Sequence, residues 1–404
     1  MQLDQSNVGF SLKETFTEKQ RCSGCGACTH VCPSKCIKLK KDDEGFLYPI
    51  VDNALCVNCR KCANVCPVIN AKPKSDVIKG CFVGYYKDVD RRIKSSSGGI
   101  FYPLAKSILI KWGLVFGVAF DEELKAHHIH IDKEADLPLL MGSKYMQSRT
   151  EETYVECKEA LDNDRWVLYS GVACQIAGLK AYLGKDYEKL LTVDVLCHGA
   201  PSPEVWALYL KYRANKAGAD PKDVSFRDKV RSWSDFCLRI DFENEKQFLA
   251  PHNRDYYYYY YFLANVGLRP SCHHCAYRGL ERASDLTIGD AWGINGYMPE
   301  FNDEKGVSAI ITHTDKGNAF LTEIKDSLEL KDIPIEMVLP PSSGGRKDTT
   351  PYPTRAQFFR DFADGKDYQY LIDHDLPKHW PPKAPLWRRV LSKGKRILKK
   401  MLGR

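Results

Sequence analysis

Cys22-Ser-Gly-Cys25-Gly-Ala-Cys28-Thr-His-Val-Cys32-Pro33 recurs downstream as Cys56-Val-Asn-Cys59-Arg-Lys-Cys62-Ala-Asn-Val-Cys66-Pro67. Both runs read Cys-x2-Cys-x2-Cys-x3-Cys-Pro. Three cysteines two residues apart let one tight loop wrap three corners of a four-iron cubane, and the fourth corner must be filled from elsewhere. In paired runs the fourth cysteine of each ligates the cluster of the other. Cys22, Cys25, Cys28 and Cys66 are therefore expected to hold one [4Fe–4S] cluster, and Cys56, Cys59, Cys62 and Cys32 the second. Gly24 and Gly26 are expected to relieve crowding where backbone approaches sulfur. Cys36 fits no ligand position and reads as a buried thiol.

The duplicated spacing is the signature of a bacterial two-cluster ferredoxin, a one-electron device. A zinc loop would not require two interlocked runs, each closed by proline. Working outward, the 404 residues are 44% hydrophobic and 27% charged, an ordinary globular composition long enough for two or three domains. No stretch approaches the ~20 consecutive apolar residues of a membrane span. Met1 to Phe10 has neither the basic flank nor the apolar segment of a signal peptide, so a cytoplasmic protein is expected. Sixteen cysteines in that setting point to metal ligation rather than disulfides. The formal charge of +7 comes from a tail: nine basic and no acidic residues lie between Lys383 and Arg404, leaving −2 for the rest. That excludes a nucleic-acid-binding body.

Ala71-Lys-Pro-Lys-Ser-Asp76 reads as a linker, so residues 1–75 form the first domain. Leu114–Phe120, Arg165–Ser170 and Leu190–Leu196 read as buried strands. Gln175–Leu183 and Pro203–Tyr212 read as helices, the second opened by Ser202 as N-cap and Pro203 at N1. Strand, helix and strand at this spacing predict βαβ units on a parallel sheet. From Pro334 onward, proline, glycine and charge predict an irregular wrap, with residues 346–404 as a C-terminal segment.

Lys94-Ser-Ser-Ser-Gly-Gly99 precedes an apolar helical run, and such a turn offers free N–H groups to a phosphate. Turns of this kind also start helices with no ligand at all. Cys174 and Cys197 each follow a strand, which places both at the carboxyl edge of one sheet, where ligands of open α/β sheets collect. Cys272-His-His-Cys275 adds a pair with metal-ligand spacing. Four thiolates from three segments suit either an iron–sulfur cluster or zinc. His198 reads as a packed loop histidine or a donor to sulfur. Lys144 and Arg149, in Gly142–Arg149, read as anion contacts or as a solvated loop.

At this point a resemblance emerges. Ser95-Ser-Ser-Gly-Gly99, Cys174-Gln-Ile-Ala-Gly-Leu179, Cys197-His-Gly199 with Pro201-Ser-Pro203, Leu268-Arg-Pro-Ser-Cys-His-His-Cys275 and Ser284-Asp-Leu-Thr-Ile-Gly-Asp-Ala-Trp-Gly293 occur in order. This set resembles the beta-subunit family of coenzyme F-420 hydrogenases and dehydrogenases. The resemblance implies an FAD-containing domain over residues 76–345 with its own [4Fe–4S] cluster. It implies Cys174, Cys197, Cys272 and Cys275 as cluster ligands. It also implies the turn Ser95, Ser96, Ser97, Gly98 and Gly99 and the loop Gly289-Asp290 as flavin-binding elements. The sequence departs from the family at Gly171-Val-Ala173, where Gly-Thr-Pro is usual, and at Ala291, where an aromatic is common. The expected fold is thus α+β and α/β: a ferredoxin-like two-cluster domain, then a mixed α/β flavin-binding domain.

Tyr256 to Tyr261 and Phe262 read as a half-buried helix, or as a flavin-stacking wall. Leu386–Leu402 has one apolar helical face opposite most of its lysines and arginines, the pattern of a helix lying on an anionic membrane surface. The expected protein is an iron–sulfur flavoprotein oxidoreductase exchanging hydride with coenzyme F-420 or an organic substrate, including a sugar-linked one in surface-polysaccharide synthesis. The rival is a non-catalytic electron carrier within a larger dehydrogenase or hydrogenase complex. A redox partner protein, ferredoxin or dehydrogenase subunit, is expected in either case. No catalytic acid or base can be picked from sequence.

Overall fold

The computed structural model describes residues 19–70 and 78–378; the expected linker and basic tail lie outside the described residues. Strands β1 (Ile37–Lys41) and β2 (Leu47–Val51) pair as an antiparallel hairpin in the first domain. Two one-turn helices, Ala27–His30 and Lys61–Asn64, carry Cys28 and Cys62. Each starts from a left-handed residue, Gly26 in the first repeat and Arg60 in the second.

Beyond the linker come β3 (Gly80–Tyr86), β4 (Leu114–Phe120), β5 (Ala126–Ile131), β6 (Val167–Val172) and β7 (Leu190–Val195). A separate antiparallel sheet follows, built from β8 (Pro221–Asp228), β9 (Cys237–Phe242) and β10 (Gln247–Pro251). Strands β11 (Leu286–Asp290), β12 (Ser308–Thr312) and β13 (Leu328–Asp332) return to the large sheet, whose order is β13-β3-β12-β11-β7-β6-β4-β5. Strands β4, β6 and β7 run parallel as neighbours, as the apolar runs predict, and β11, not anticipated from sequence, extends the parallel run beside β7. Continuous apolar strands need cover on both faces. The helix Phe101–Ile110 supplies it on one side, packing Leu104 and Ile108 over β4, β6 and β7. The helices Thr153–Asp162 and Ala173–Leu183 cover the other, together with Ala27 and Cys28 of the first domain.

The helix Pro203–Ala217 begins as expected, with Ser202 Oγ accepting from the Val205 N–H. Its Trp206 and Tyr209 join Phe46, Tyr48 and the tyrosine run in one core. Tyr256–Leu263 is a π-helix: Tyr257, Tyr258, Tyr261 and Phe262 turn inward, and Asp255 caps the Tyr258 N–H at 2.6 Å. The Tyr261 ring lies over Gly267, where any Cβ would fall inside it. The expectation of an irregular segment after residue 346 is corrected. Arg355–Ala363 and Tyr368–His374 are helices that bury Phe358, Phe359, Tyr368 and Leu371 in the same core. The prolines and glycines before them mask their 3.6-residue period.

His128 on β5 is enclosed, its ring nitrogens facing the Arg149 and Ser170 carbonyls, and burial lowers its pKa to about 4. The unfolded chain binds a proton near pH 6.5, so stability is lost as pH falls from 6.5 towards 4, by about 2 kcal/mol at pH 5. His128→Gln should flatten that part of the stability–pH curve, measured by urea unfolding at pH 7 and pH 5.

Candidate functional site

Cys22, Cys25 and Cys28 face Cys66 across a small cavity closed by Pro67, Leu39 and Pro49. Burial, joined by the neighbouring thiols Cys22 and Cys66, pushes Cys25 up to about 12. Gly24 and Gly26 stand at φ +70° and +81°. The crowding they relieve comes from the second domain as well: a Cβ on Gly24 would strike Gln147 and Arg269, and one on Gly26 would strike Thr150. The outer group gathers around Cys62, whose thiol is raised to about 11 by burial, with Cys32 and Cys59 nearby. Cys36 is buried as expected, its sulfur 3.4 Å from that of Cys32.

Residues Val172 and Val195 are register partners on β6 and β7, so Cys174 and Cys197, two residues beyond each, reach the same sheet edge. The turn Pro270–His274 delivers Cys272, and Cys275 follows it. Burial raises the Cys174 thiol well above its usual range, reinforced by Cys275, Cys197, Cys272 and then Cys25. The Ala200 N–H donates to the Cys272 sulfur at 3.3 Å. Among the described residues, no three His, Cys, Asp or Glu side chains close to single-ion distances. Cys25 lies against Gly178, where a Cβ would come within 2.9 Å of its sulfur. Buried Tyr277 packs beside Cys174 and Cys275. The first and third thiol sets are therefore neighbours.

All four cysteines of the third set line a cavity of about 730 Å³. Such a volume falls in the ~300–1,000 Å³ range of small-molecule sites. Ser95, Ser96, Ser97, Gly99, Gly289 and Asp290 also line it, whereas Gly98 does not. Gly98 is packed beneath the turn, where a Cβ would meet the Gly84 carbonyl at 2.5 Å. Ser96 Oγ accepts from the Ser143 N–H and hydroxyl. Gly289 is small because Leu196 crosses it.

Residues 164–336 match the family described as the C terminus of the beta subunit of coenzyme F-420 hydrogenase/dehydrogenase. Residues 21–70 match the 4Fe-4S dicluster domain. The chain joins these two family domains. A xenon-derivatised structure of the F-420-reducing [NiFe] hydrogenase complex from Methanosarcina barkeri contains a similar chain. The alignment covers 73% of this chain and 91% of that one, at 18% identity and a TM-score of 0.43. No curated protein matches. The family domains make this an iron–sulfur protein with an oxidoreductase-type, electron-transferring role. No helix among the described residues is long and apolar enough to cross a membrane.

Lys144 lines the cavity and donates to the Leu139, Met141 and Gly142 carbonyls; burial lowers its pKa to about 7. Arg149 does not line it and is paired with Asp121 and Glu151. His198 lines the cavity, bonds Asn265 at 2.7 Å, and is lowered by burial to about 4. None of the six tyrosines lines the cavity; Phe262 does. Sequence alone does not disclose Arg269, buried between the first and third thiol sets, or Arg278, which donates to the His198 and Cys272 carbonyls. The Leu268-Arg-Pro-Ser-Cys stretch holds the only signal for the former.

Asp290 grips Arg227 through two bonds of 2.8 and 3.0 Å and accepts from Trp233 Nε1. Burial disfavours the Arg227 charge, but Asp290 outweighs it and holds the guanidinium protonated. Asp290→Ala leaves that charge buried and alone, and should cost about 3–5 kcal/mol in urea unfolding. The double variant Asp290→Ala/Arg227→Met should recover much of the loss.

Proposed function

We propose that this chain is an iron–sulfur flavoprotein oxidoreductase, passing electrons between [4Fe–4S] clusters and a hydride-exchanging substrate. The observation that carries the reading is the convergence of four thiols from three segments on one cavity that also receives the serine turn and the Gly289-Asp290 loop. Cys22, Cys25, Cys28 and Cys66 would hold one cluster, Cys32, Cys56, Cys59 and Cys62 a second, and Cys174, Cys197, Cys272 and Cys275 a third. A tetrahedral zinc requires every sulfur ~2.3 Å from one centre; thiols spread around a shared volume suit the larger cubane better.

FAD would occupy the large cavity, bordered by Ser95, Ser96, Ser97, Gly99, Gly289 and Asp290. When bound, clusters supply one-electron steps and a flavin supplies the two-electron, hydride-exchanging step. The chain's own part is positioning. Ser143 orients the Ser96 hydroxyl, and Arg227 and Trp233 fix the Asp290 carboxylate. Lys144 sets its amine at the wall, held there by backbone carbonyls. Coenzyme F-420 is one candidate substrate, and an organic one, including a sugar-linked compound, is another. The second reading, an electron carrier acting only with a separate dehydrogenase, is favoured by the family's beta-subunit description.

Protein purified without oxygen should contain about twelve irons, one FAD and no stoichiometric zinc. Cys174→Ser should lose about four irons while retaining the other eight. Eight irons, one zinc and no flavin would overturn the flavoenzyme reading.

A further inference from the structure

The two cysteine repeats are alike in spacing and opposite in surroundings. The inner repeat places Gly26 and Ala27 before its third cysteine, and both are buried against the second domain. At the matching positions the outer repeat places Arg60 and Lys61, both exposed. Arg60 keeps a long basic side chain in a left-handed conformation, φ +58°, where the inner repeat has glycine. Lys35, between Cys32 and Cys36, is also exposed and left-handed at φ +50°. None of the three forms an ion pair among the described residues.

Cys59 is the one exposed cysteine of the sixteen. Beside it stand Leu55 and Val57, 55% and 65% exposed. Residues 19–70 contain eight lysines and arginines against four carboxylates. Two of those carboxylates, Asp42 and Glu44, are paired with Lys19 and Arg355. One exposed thiol, two apolar side chains and three cations without ion pairs, set against the exposed carboxylate Asp52 beside Cys36 and Leu55, form a net basic surface complementary to an acidic protein.

We propose that this outward face, Lys35, Leu55, Val57, Arg60 and Lys61 around Cys59, is the docking surface for a small acidic one-electron carrier protein. The proposal rests on the electron-transfer reading above. Each encounter moves one electron between carrier and chain, oxidising one and reducing the other, and no bond is made or broken. The basic rim steers the approach, and the apolar pair gives the contact a dry centre.

The test uses the full chain purified without oxygen, reduced in a stopped-flow instrument by a reduced acidic two-cluster ferredoxin or by methyl viologen radical. The ferredoxin rate should fall by about tenfold or more as salt rises from roughly 50 to 300 mM. The combined variant Lys35→Glu, Arg60→Glu and Lys61→Glu should slow the ferredoxin reaction about 100-fold at low salt. Its iron content and viologen rate should match the parent. The milder Lys35→Gln, Arg60→Gln and Lys61→Gln should fall between the two and serves if charge reversal costs iron. A ferredoxin rate indifferent to salt and to both variants, with normal viologen reduction, overturns the docking surface alone. Clusters that viologen cannot reduce would defeat the electron-transfer reading, and the docking surface with it.

Discussion

Arg269 is the residue on which the rest of the arrangement depends. It is 1% exposed and has no carboxylate partner among the described residues. Its guanidinium donates to the Cys22 carbonyl at 2.8 Å, the Leu47 carbonyl at 3.0 Å and Gln147 Oε1 at 2.9 Å, and lies 4.0 Å over the Tyr48 ring. One nitrogen approaches the Cys22 sulfur at 3.7 Å. Its backbone N–H bonds Ala200, and its carbonyl accepts from Cys272. One side chain thus holds the first cysteine loop, the hairpin and the sheet-edge loop in a common frame. A buried cation without a counter-charge is costly. With a metal centre bound, the thiolates of the first set would supply the compensating charge, so domain docking and ligation would stabilise each other.

The same reasoning covers the thiols. Burial holds Cys25, Cys28, Cys174 and Cys197 in the neutral form, since every nearby ionised thiol would repel the next. They become thiolates only when a metal centre supplies the opposing charge, which couples ligation to proton release and to folding. Gly178 makes the coupling physical. With no side chain there, helix Ala173–Leu183 lets Cys25 sit against the turn that begins at Cys174.

Much of this is legible in the sequence, and unevenly. The cysteine runs specify pairing across repeats because a cubane has four corners and a three-cysteine loop reaches three. The parallel strands are legible because a strand covered on both faces must be apolar throughout, as Leu114–Phe120 is. The C-terminal helices are not, because their period is short and follows a proline-rich approach. Gly98 reads as a ligand contact, yet it lies under the turn; sequence distinguishes a glycine from its neighbours, but not the side of a loop it faces. The role of Arg269 is not legible from sequence beyond its place in the Leu268-Arg-Pro-Ser-Cys stretch. An arginine before proline ordinarily faces solvent, and only the fold brings Cys22, Leu47, Gln147 and Ala200 around it.

The exposures of the three thiol sets form a sequence of their own. The outer set includes the exposed Cys59, the middle set is walled in by both domains, and the third opens on the large cavity. Cys59 stands at the protein surface, Cys28 is buried while Cys22, Cys25 and Cys66 are partly covered, and the third set faces a volume large enough for a small molecule. Gly178 lets Cys25 approach the helix that carries Cys174, and Tyr277 packs beside Cys174 and Cys275. The order from protein surface through partly covered thiols to ligand cavity follows from which residues are small and which are covered.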